Sequence, residues 1–483
     1  MNYYVMKNNQ RINLLDIPTI NFESLRAQLI ATNLRPIAFF GSDWGENVKL
    51  FVALADDEKG EILVTSSLIH KSIVEYESIT QENHQYHMFE REFYEQFGIK
   101  PLNHPWLKPV RKNQDSYEFF EMQGDETHQV AVGPIHAGVI EPGHFRFNCQ
   151  GEKVYNLEIM LGYQHRGVED LMVKNPSNQL VESICGDSVI AYSNAYSQII
   201  EALGETKITS KAGLIRRIAL EMERIAIHIG DMGAILGDIA YLMGKETYAV
   251  TRTLVINTML EVSGSRFIRG LINVGGVNFD INRKMSKKIV ETLDYVLKTV
   301  NKMTAAALNS STVMSRLEKT GNISLETAQE LNMVGLMARS CGIEIDSRFD
   351  FKDEFYCDME RKAFKATNDA YSRFRIRYRE VKDSIRYVKK LLDKLNVVKE
   401  ENTYVAPNCL IPNSFAISIV EGWRGEVVHI ATTDETGHIS RYKIKDPSFN
   451  NWWGLSMAVR NNGISDFPLC NKGFDLSYCG FDL

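Results

Sequence analysis

After Gly162 the apolar residues of this chain stop alternating and recur every three to four positions for most of the remaining sequence. That periodicity commits the larger part of the chain to helices packed on helices. Leu214, Ile218, Met222, Ile225 and Ile229 are spaced 4, 4, 3, 4, one face of an α-helix. Tyr371, Phe374, Tyr378, Val381, Ile385, Val388, Leu392 and Leu395 alternate threes and fours, so a long helix packed along another is expected. Its other faces carry Arg373, Arg375, Arg377, Arg379, Lys382, Arg386, Lys389, Lys390 and Lys394. They read as the solvated face of a bundle helix, with a membrane surface or an acidic partner as the alternative.

The first 120 residues read differently. Pro36–Phe40, Leu50–Ala55 and Ile62–Thr65 are strand-sized apolar runs, and a helical pattern extends from about Leu68 to Phe97, ending at Gly98. A polar stretch from Arg111 to about Gln129 is the best candidate linker. Beyond it, Phe145–Cys149 and Lys153–Ile159 read as a hairpin around Gln150-Gly151. Near the end, Val427–Ile430 and Ser440–Lys445 read as short strands about a turn. The expected architecture is α+β: a small α/β domain over residues 1–120, then a mostly helical domain with small peripheral sheets over residues 130–483.

At 483 residues the chain can bury a large core without covalent staples. Its 55 basic and 61 acidic residues give a net charge of −6, which argues against nucleic-acid binding. Seven cysteines with no CxxC pair exclude a disulfide framework and a zinc ribbon. No secretory h-region opens the sequence, and no apolar run approaches the roughly 18 residues of a membrane span. A cytoplasmic protein, or one peripheral to a membrane, is expected. GxxxxGK[ST], HExxH, GxSxG and a GxGxxG after a strand are all missing, so direct nucleotide binding has no sequence support.

Five constellations carry reactive groups. Gly162-Tyr-Gln-His165-Arg-Gly-Val-Glu169 sets a His, an Arg and a Glu within two helical turns, which could bind an anion or relay protons, although on composition alone it reads as an exposed helix start with scattered charges. Glu221, three after Ile218 and four before Ile225, points toward an apolar face, where a carboxylate must be paired or protonated. It is therefore a better site candidate than Glu223, with a buried structural ion pair to an arginine of another helix as the alternative. Ser183-Ile-Cys185-Gly-Asp-Ser188 has the spacing of a metal-binding pair but only one strong ligand, and reads equally as a small buried Cys on a helix. In Asp475-Leu-Ser477-Tyr-Cys479-Gly480, Cys479 lies nine residues past Cys470, and these two cysteines would join Cys185 only if the fold assembled them. Finally, Trp423-Arg424-Gly places a guanidinium fork at a strand entrance, suited to an anion or carboxylate.

In order along the chain, Gly133-Pro-Ile-His136, Glu141-Pro-Gly-His144-Phe-Arg146, Gly162 to Glu169, Ile184-Cys-Gly186, Leu220-Glu-Met-Glu-Arg224 and Arg424-Gly resemble the large subunit of energy-converting, membrane-bound nickel–iron hydrogenases of the formate hydrogenlyase type. The same fold serves as the quinone-site subunit of respiratory complex I. Phe89-Glu-Arg-Glu92, Phe97-Gly98 and His104-Pro-Trp-Leu107 look like the smaller complex I subunit that precedes it, fused here as in the formate hydrogenlyase type.

The resemblance implies a hydrogenase-large-subunit-like second domain and a role in an oxidoreductase, active only within a membrane-associated complex. It implies Glu169 as the proton-relay carboxylate, His144 or His136 at the quinone-site loop, His165 beside them, and Arg424 over the active site. Partners would be a small iron–sulfur subunit carrying the cluster and antiporter-like membrane subunits, with a quinone-like acceptor and no nucleic acid. This places the chain on the inner face of the cell membrane. The family holds nickel and iron with R-x-C-G-x-C and D-P-C-x-x-C. Here Ser183, Ser188, Ser477 and Gly480 replace the Arg and three thiols, Tyr192 stands for the usual His, and only Cys185 stays in register. The quinone-headgroup Tyr would fall near Leu180. The expectation is therefore a lost nickel–iron site in a subunit that still passes electrons, with a non-catalytic scaffold, or an atypical nickel site of Cys185, Cys470 and Cys479, as alternatives. No cofactor is expected on this chain itself, and no nicotinamide site is apparent.

Overall fold

The computed structural model describes all residues except 1, 113, 114, 116, 139, 357, 358, 400 and 401, so Cys357 lies outside the described residues. Arg35–Trp44, Asn47–Asp56 and Glu61–His70 form consecutive antiparallel strands, and Tyr4–Met6 pairs with the far side of Glu61–His70. Both faces of this sheet are buried, which is why its strands read as continuous apolar runs rather than alternation. Phe39, Leu50, Val52 and Leu54 share one core with Phe89 and Phe93 of helix His87–Phe97. Phe40, Phe51, Ala53 and Val64 share another with Phe415, Ile417, Val428 and Ile430 of a C-terminal sheet.

The three expected strands are present and longer than their apolar runs. The helix expected from Leu68 starts only at His87. Leu68 belongs to a strand whose backbone is paired as far as Asn47↔His70, and Glu75–Glu77 pairs in parallel with Lys100–Leu102. Interstrand pairing overrides a helix-compatible spacing there. At the other end the expectation holds: Gly98 caps the helix at φ 72° and donates its N–H to the Tyr94 carbonyl.

The expected hairpin forms from His144–Gln150 and Lys153–Met160, with Thr127–Val132 as a third strand. Most described residues of the polar stretch from Arg111 to Gln129 are exposed, but its first residue is anchored. The buried Arg111 pairs with Glu92 and donates from Nε to the Phe481 carbonyl at 2.6 Å.

Long helices Val189–Leu203, Ser210–Asp238, Leu242–Ser263, Arg283–Leu308 and Ala370–Val397 make the second core. Ser210–Asp238 is central and buried nearly all round, with Ala370–Val397 packed along it as the heptad spacing predicts. Two of the arginines that read as solvated are in fact buried: Arg377 binds Asp231, and Arg373 lies over the Phe474 ring while donating to the Gly321 carbonyl. No described helix is long and apolar enough to cross a membrane.

The last sheet runs Ile439–Lys445, Glu426–Thr433, Ser414–Glu421 and then Arg11–Asn13, in antiparallel register Phe415↔Ile12. One strand from the start of the chain thus completes a sheet from its end. Helices Pro447–Val459, Phe467–Phe474 and Tyr478–Asp482 then fold back against the loop that carries Cys185.

Candidate functional site

Cys185 sits in the short loop between helices Asn178–Glu182 and Val189–Leu203. The tail brings Ser477 onto it: Ser477 Oγ lies 3.2 Å from Cys185 Sγ and 3.5 Å from Cys479 Sγ, and accepts the Gly480 N–H at 2.9 Å. Both sulfurs thus contact one hydroxyl. Ser188 is buried one loop residue beyond Asp187. The four positions that the hydrogenase pattern gives to thiolates therefore meet in space, carrying Cys185, Ser188, Ser477 and Gly480.

Arg424 closes this cluster from the turn between strands Ser414–Glu421 and Glu426–Thr433. Its Nη1 and Nη2 reach Asp187 Oδ1 and Oδ2 at 2.6 and 2.9 Å, a bidentate pair, and Nη1 is 3.5 Å from Cys185 Sγ. Nε donates to the Asp475 carbonyl at 2.6 Å. The guanidinium stacks 3.9 Å from the Trp423 ring centre, and Trp423 Nε1 donates to the Asp187 carbonyl. Cys185 Sγ in turn donates to Asp187 Oδ1 at 3.0 Å.

Behind the sulfurs, Tyr192 is fully buried and donates its hydroxyl to Asp446 Oδ2 at 2.6 Å. Asp446 also caps helix Pro447–Val459 through the Ser448 N–H. Its Oδ2 stands 2.5 Å from where a β-carbon on Gly480 would be. Any side chain at 480 collides with that carboxylate.

The neighbouring Cys479 thiol, burial and Asp187 together push the Cys185 thiol well up. Burial lifts Asp231, and the negative charge of Asp475 lifts it further, to about 8. Against the cost of burial, Lys472 and Arg424 hold Asp475 far below the usual carboxylate range. Burial raises Glu223 to about 8, although both its oxygens accept the Ile190 N–H. The site is thus rich in groups that keep their protons.

The other expected site residues divide between its rim and places elsewhere. His136 Nε2 contacts the Gly143 carbonyl at 2.8 Å and His144 Nδ1 the Gly133 carbonyl at 3.2 Å, so both fold the loop 133–144 on itself. That loop borders the site, because Cys479 N donates to Glu141 Oε2 at 3.4 Å and Gly143 abuts the Tyr478 ring. His165 Nδ1 bonds the Asp482 carbonyl at 2.7 Å and anchors the tail. Glu169 is away from the sulfurs. It meets Lys443 at 2.9 Å and Arg441 at 3.0 Å and accepts the Ile444 N–H at 3.1 Å. Against burial, those charges and Arg111 hold it at about 2, a fixed anion.

Glu221 takes the alternative reading. It is fully buried among Arg224, Arg348, Tyr356 and Ser384, in a network that continues through Glu380, His228, Arg339, Asp346 and Glu421. Cys470 is buried beside Arg373 and Gly321 rather than beside Cys185, so the three-cysteine set does not assemble. Asp187, Asp446 and Asp231 do not stand out in the sequence. Asp446 does carry a signal, as an Asp before Pro447 at a helix start, but that signal announces a cap, not a site.

Comparison with known proteins bears on this arrangement. A family model described as the 30 kDa subunit of respiratory-chain NADH dehydrogenase matches residues 23–123, and one for the 49 kDa subunit matches residues 238–409. The chain joins a 30 kDa-type and a 49 kDa-type domain in one polypeptide. It is 28% identical over 365 residues to the alpha subunit of the membrane-bound hydrogenase of Pyrococcus furiosus, covering 72% of this chain and 85% of the relative. It is 26% identical over 439 residues to formate hydrogenlyase subunit 5 of Escherichia coli, covering 84% and 76%. It is 27% identical over 352 residues to a subunit of the NADH-quinone oxidoreductase of Thermosipho melanesiensis, covering 71% and 96%. A chain from the structure of the membrane-bound sulfane sulfur reductase, an archaeal respiratory membrane complex, superimposes with a TM-score of 0.68 at 20% identity, over 74% of this chain and 99% of that one. These matches agree with the resemblance and fold class expected from the motifs.

Proposed function

We propose that this chain is the peripheral redox subunit of a membrane-associated, ion-translocating complex, that it exchanges electrons with a small iron–sulfur subunit, and that it does so without a nickel–iron pair. Its relatives are subunits of hydrogenase, formate hydrogenlyase and quinone oxidoreductase complexes. The observation that carries the metal part is the occupied fourth ligand position: the Asp446 carboxylate, held by Tyr192, fills the space beside Gly480.

A nickel–iron pair does not fit these residues. Ser188 and Ser477 are protonated hydroxyls at neutral pH, poor ligands for a soft thiolate site. Of the thiols, Cys185 and Cys479 are present but Cys470 is elsewhere. What remains is the Arg424–Asp187 ion pair beside two thiols, bordered by the histidine loop. It suits a small polar electron acceptor better than a quinone, because His136 and His144 are used to brace the loop and Leu180 offers no hydroxyl. The dense packing around Tyr192 supports a second reading, a scaffold that docks the iron–sulfur subunit without chemistry of its own.

Elemental analysis of the purified complex tests the first point. Nickel well below one atom per chain is expected, and stoichiometric nickel would overturn it. Arg424→Lys separates the two readings: turnover of the complex falls if the pocket binds an acceptor, and stays unchanged in a scaffold.

A further inference from the structure

The tail supplies this site with a second sulfur that the metal pattern does not call for. Cys479 lies one residue before the ligand position held by Gly480 and is partly exposed, whereas Cys185 is buried. The two flank a single hydroxyl, Ser477 Oγ, at 3.5 and 3.2 Å. Ser477 and Cys479 belong to one turn of chain, and Ser477 is fixed by the Ser448 hydroxyl and the Gly480 N–H.

We propose that Cys185 and Cys479 form a two-electron dithiol–disulfide couple that reacts with low-molecular-weight disulfides. Cys479, the accessible member, attacks one sulfur of R–S–S–R. A mixed disulfide forms, and the first thiolate RS⁻ leaves with the proton of Cys479. Cys185 then attacks the Cys479 sulfur. Its proton passes to Asp187 Oδ1, 3.0 Å away, and Arg424 Nη1, at 3.5 Å, faces the developing charge. The 185–479 disulfide closes and the second RS⁻ departs, taking a proton from the medium in balance with the one released. Two cysteine sulfurs are oxidised and the two sulfurs of the co-reactant are reduced. Asp187 is half-exposed, with 37% of its side chain accessible, so the proton has a way out. Arg166, which donates to the Ser183 carbonyl, and Arg269, near Gly186, are exposed beside the loop that carries Cys185 and favour an anionic co-reactant such as oxidised glutathione. The couple stands whether or not the pocket turns over an acceptor in the complex.

The test incubates the full-length protein, free of other reductants, across a series of oxidised-to-reduced glutathione ratios, then traps free thiols with an alkylating agent and maps peptides by mass spectrometry. The exposed Cys409 reports that the reagent works, and the buried Cys149, Cys341 and Cys470 serve as unreactive references. The expected product is a 185–479 linked peptide that dithiothreitol reverses, with both thiols lost together. Cys185→Ser should instead accumulate glutathione on Cys479, and Cys479→Ser should leave Cys185 unmodified. Separate adducts on both cysteines, no 185–479 link while Cys409 is modified, or no trapping in Cys185→Ser would each overturn the proposal.

Discussion

Two clusters of buried ionisable residues in this molecule behave in opposite ways. Around Lys443, the carboxylates of Glu92 and Glu169 sit 2.6 and 2.9 Å from one ammonium, with Arg111 and Arg441 completing the set. Every member there is charged and paired, and it joins helix His87–Phe97, the Gly162–Glu169 motif and strand Ile439–Lys445. Around Cys185 the groups are thiols, hydroxyls and carboxylates joined by hydrogen bonds, with the Arg424–Asp187 ion pair among them. Ion pairs this buried hold a structure together but resist a change of state. Groups joined by hydrogen bonds can change state without unfolding their surroundings. The first cluster is thus a clamp and the second is where chemistry is possible, although the motif resemblance puts the proton-relay carboxylate in the first.

The sharpest way to break this distinction is to remove the clamp's centre. Lys443→Met leaves Glu92 and Glu169 buried without their shared cation, and breaking such a pair costs about 3–5 kcal/mol. Chemical denaturation at pH 7 should show that loss. A cost under about 1 kcal/mol would mean the two carboxylates find other partners and that the cluster is no clamp.

Glu169→Gln removes one arm and keeps the rest. Lys443 retains Glu92, Arg441 retains the Gly41 carbonyl, and the glutamine oxygen can still accept the Ile444 N–H. The expected cost is about 1.5–3 kcal/mol at neutral pH. Its pH dependence follows from the depressed carboxylate. Glu169 titrates at about 2 in the fold against 4.5 when unperturbed, so its contribution is present above 4.5 and is lost as pH falls toward 2. The gap between wild type and variant should narrow over that window. Turnover that drops while stability is untouched would support the relay role.

How far sequence carries the argument differs between these same clusters. The Cys185 loop and the Asp475–Gly480 tail are legible because motif spacing is local, and their meeting follows from the register of the resemblance. The long helices are legible for the same reason: a 3.6-residue period survives burial. What surrounds the sulfurs is not legible, because Asp446 and Asp187 act through contacts across some 250 residues of chain, and a helix cap looks alike at a site or away from one. Glu169 and Glu221 show a shared limit of the sequence reading. An acid on an apolar face signals burial, but whether burial ends in a proton or a partner depends on cations from distant elements, here Lys443 for one and Arg348 for the other. The start of helix His87–Phe97 is hidden because pairing at Asn47↔His70 is a long-range fact.

Glu223 gives the mildest and most discriminating test, because it is the member of the second cluster whose charge state sets it apart from Glu169. Both are buried glutamates that accept backbone N–H bonds. Glu169 has cations at hydrogen-bond distance. Glu223 has Asp187 raising it and only a weaker pull from Arg224, so burial wins and it keeps its proton to about 8. A raised carboxyl binds its proton more tightly in the fold than in the unfolded chain, so stability is fully present below 4.5 and declines as pH rises to about 8. Glu223→Gln has no proton to lose and retains an oxygen for Ile190. At pH 5 the variant should match wild type within about 1 kcal/mol, and at pH 9 it should be the more stable of the two. Denaturation midpoints at both values check this. Equal midpoints at pH 9 would mean that Glu223 is ionised in the fold, held by the N–H groups that open helix Val189–Leu203, and that the second cluster holds its charges as rigidly as the first.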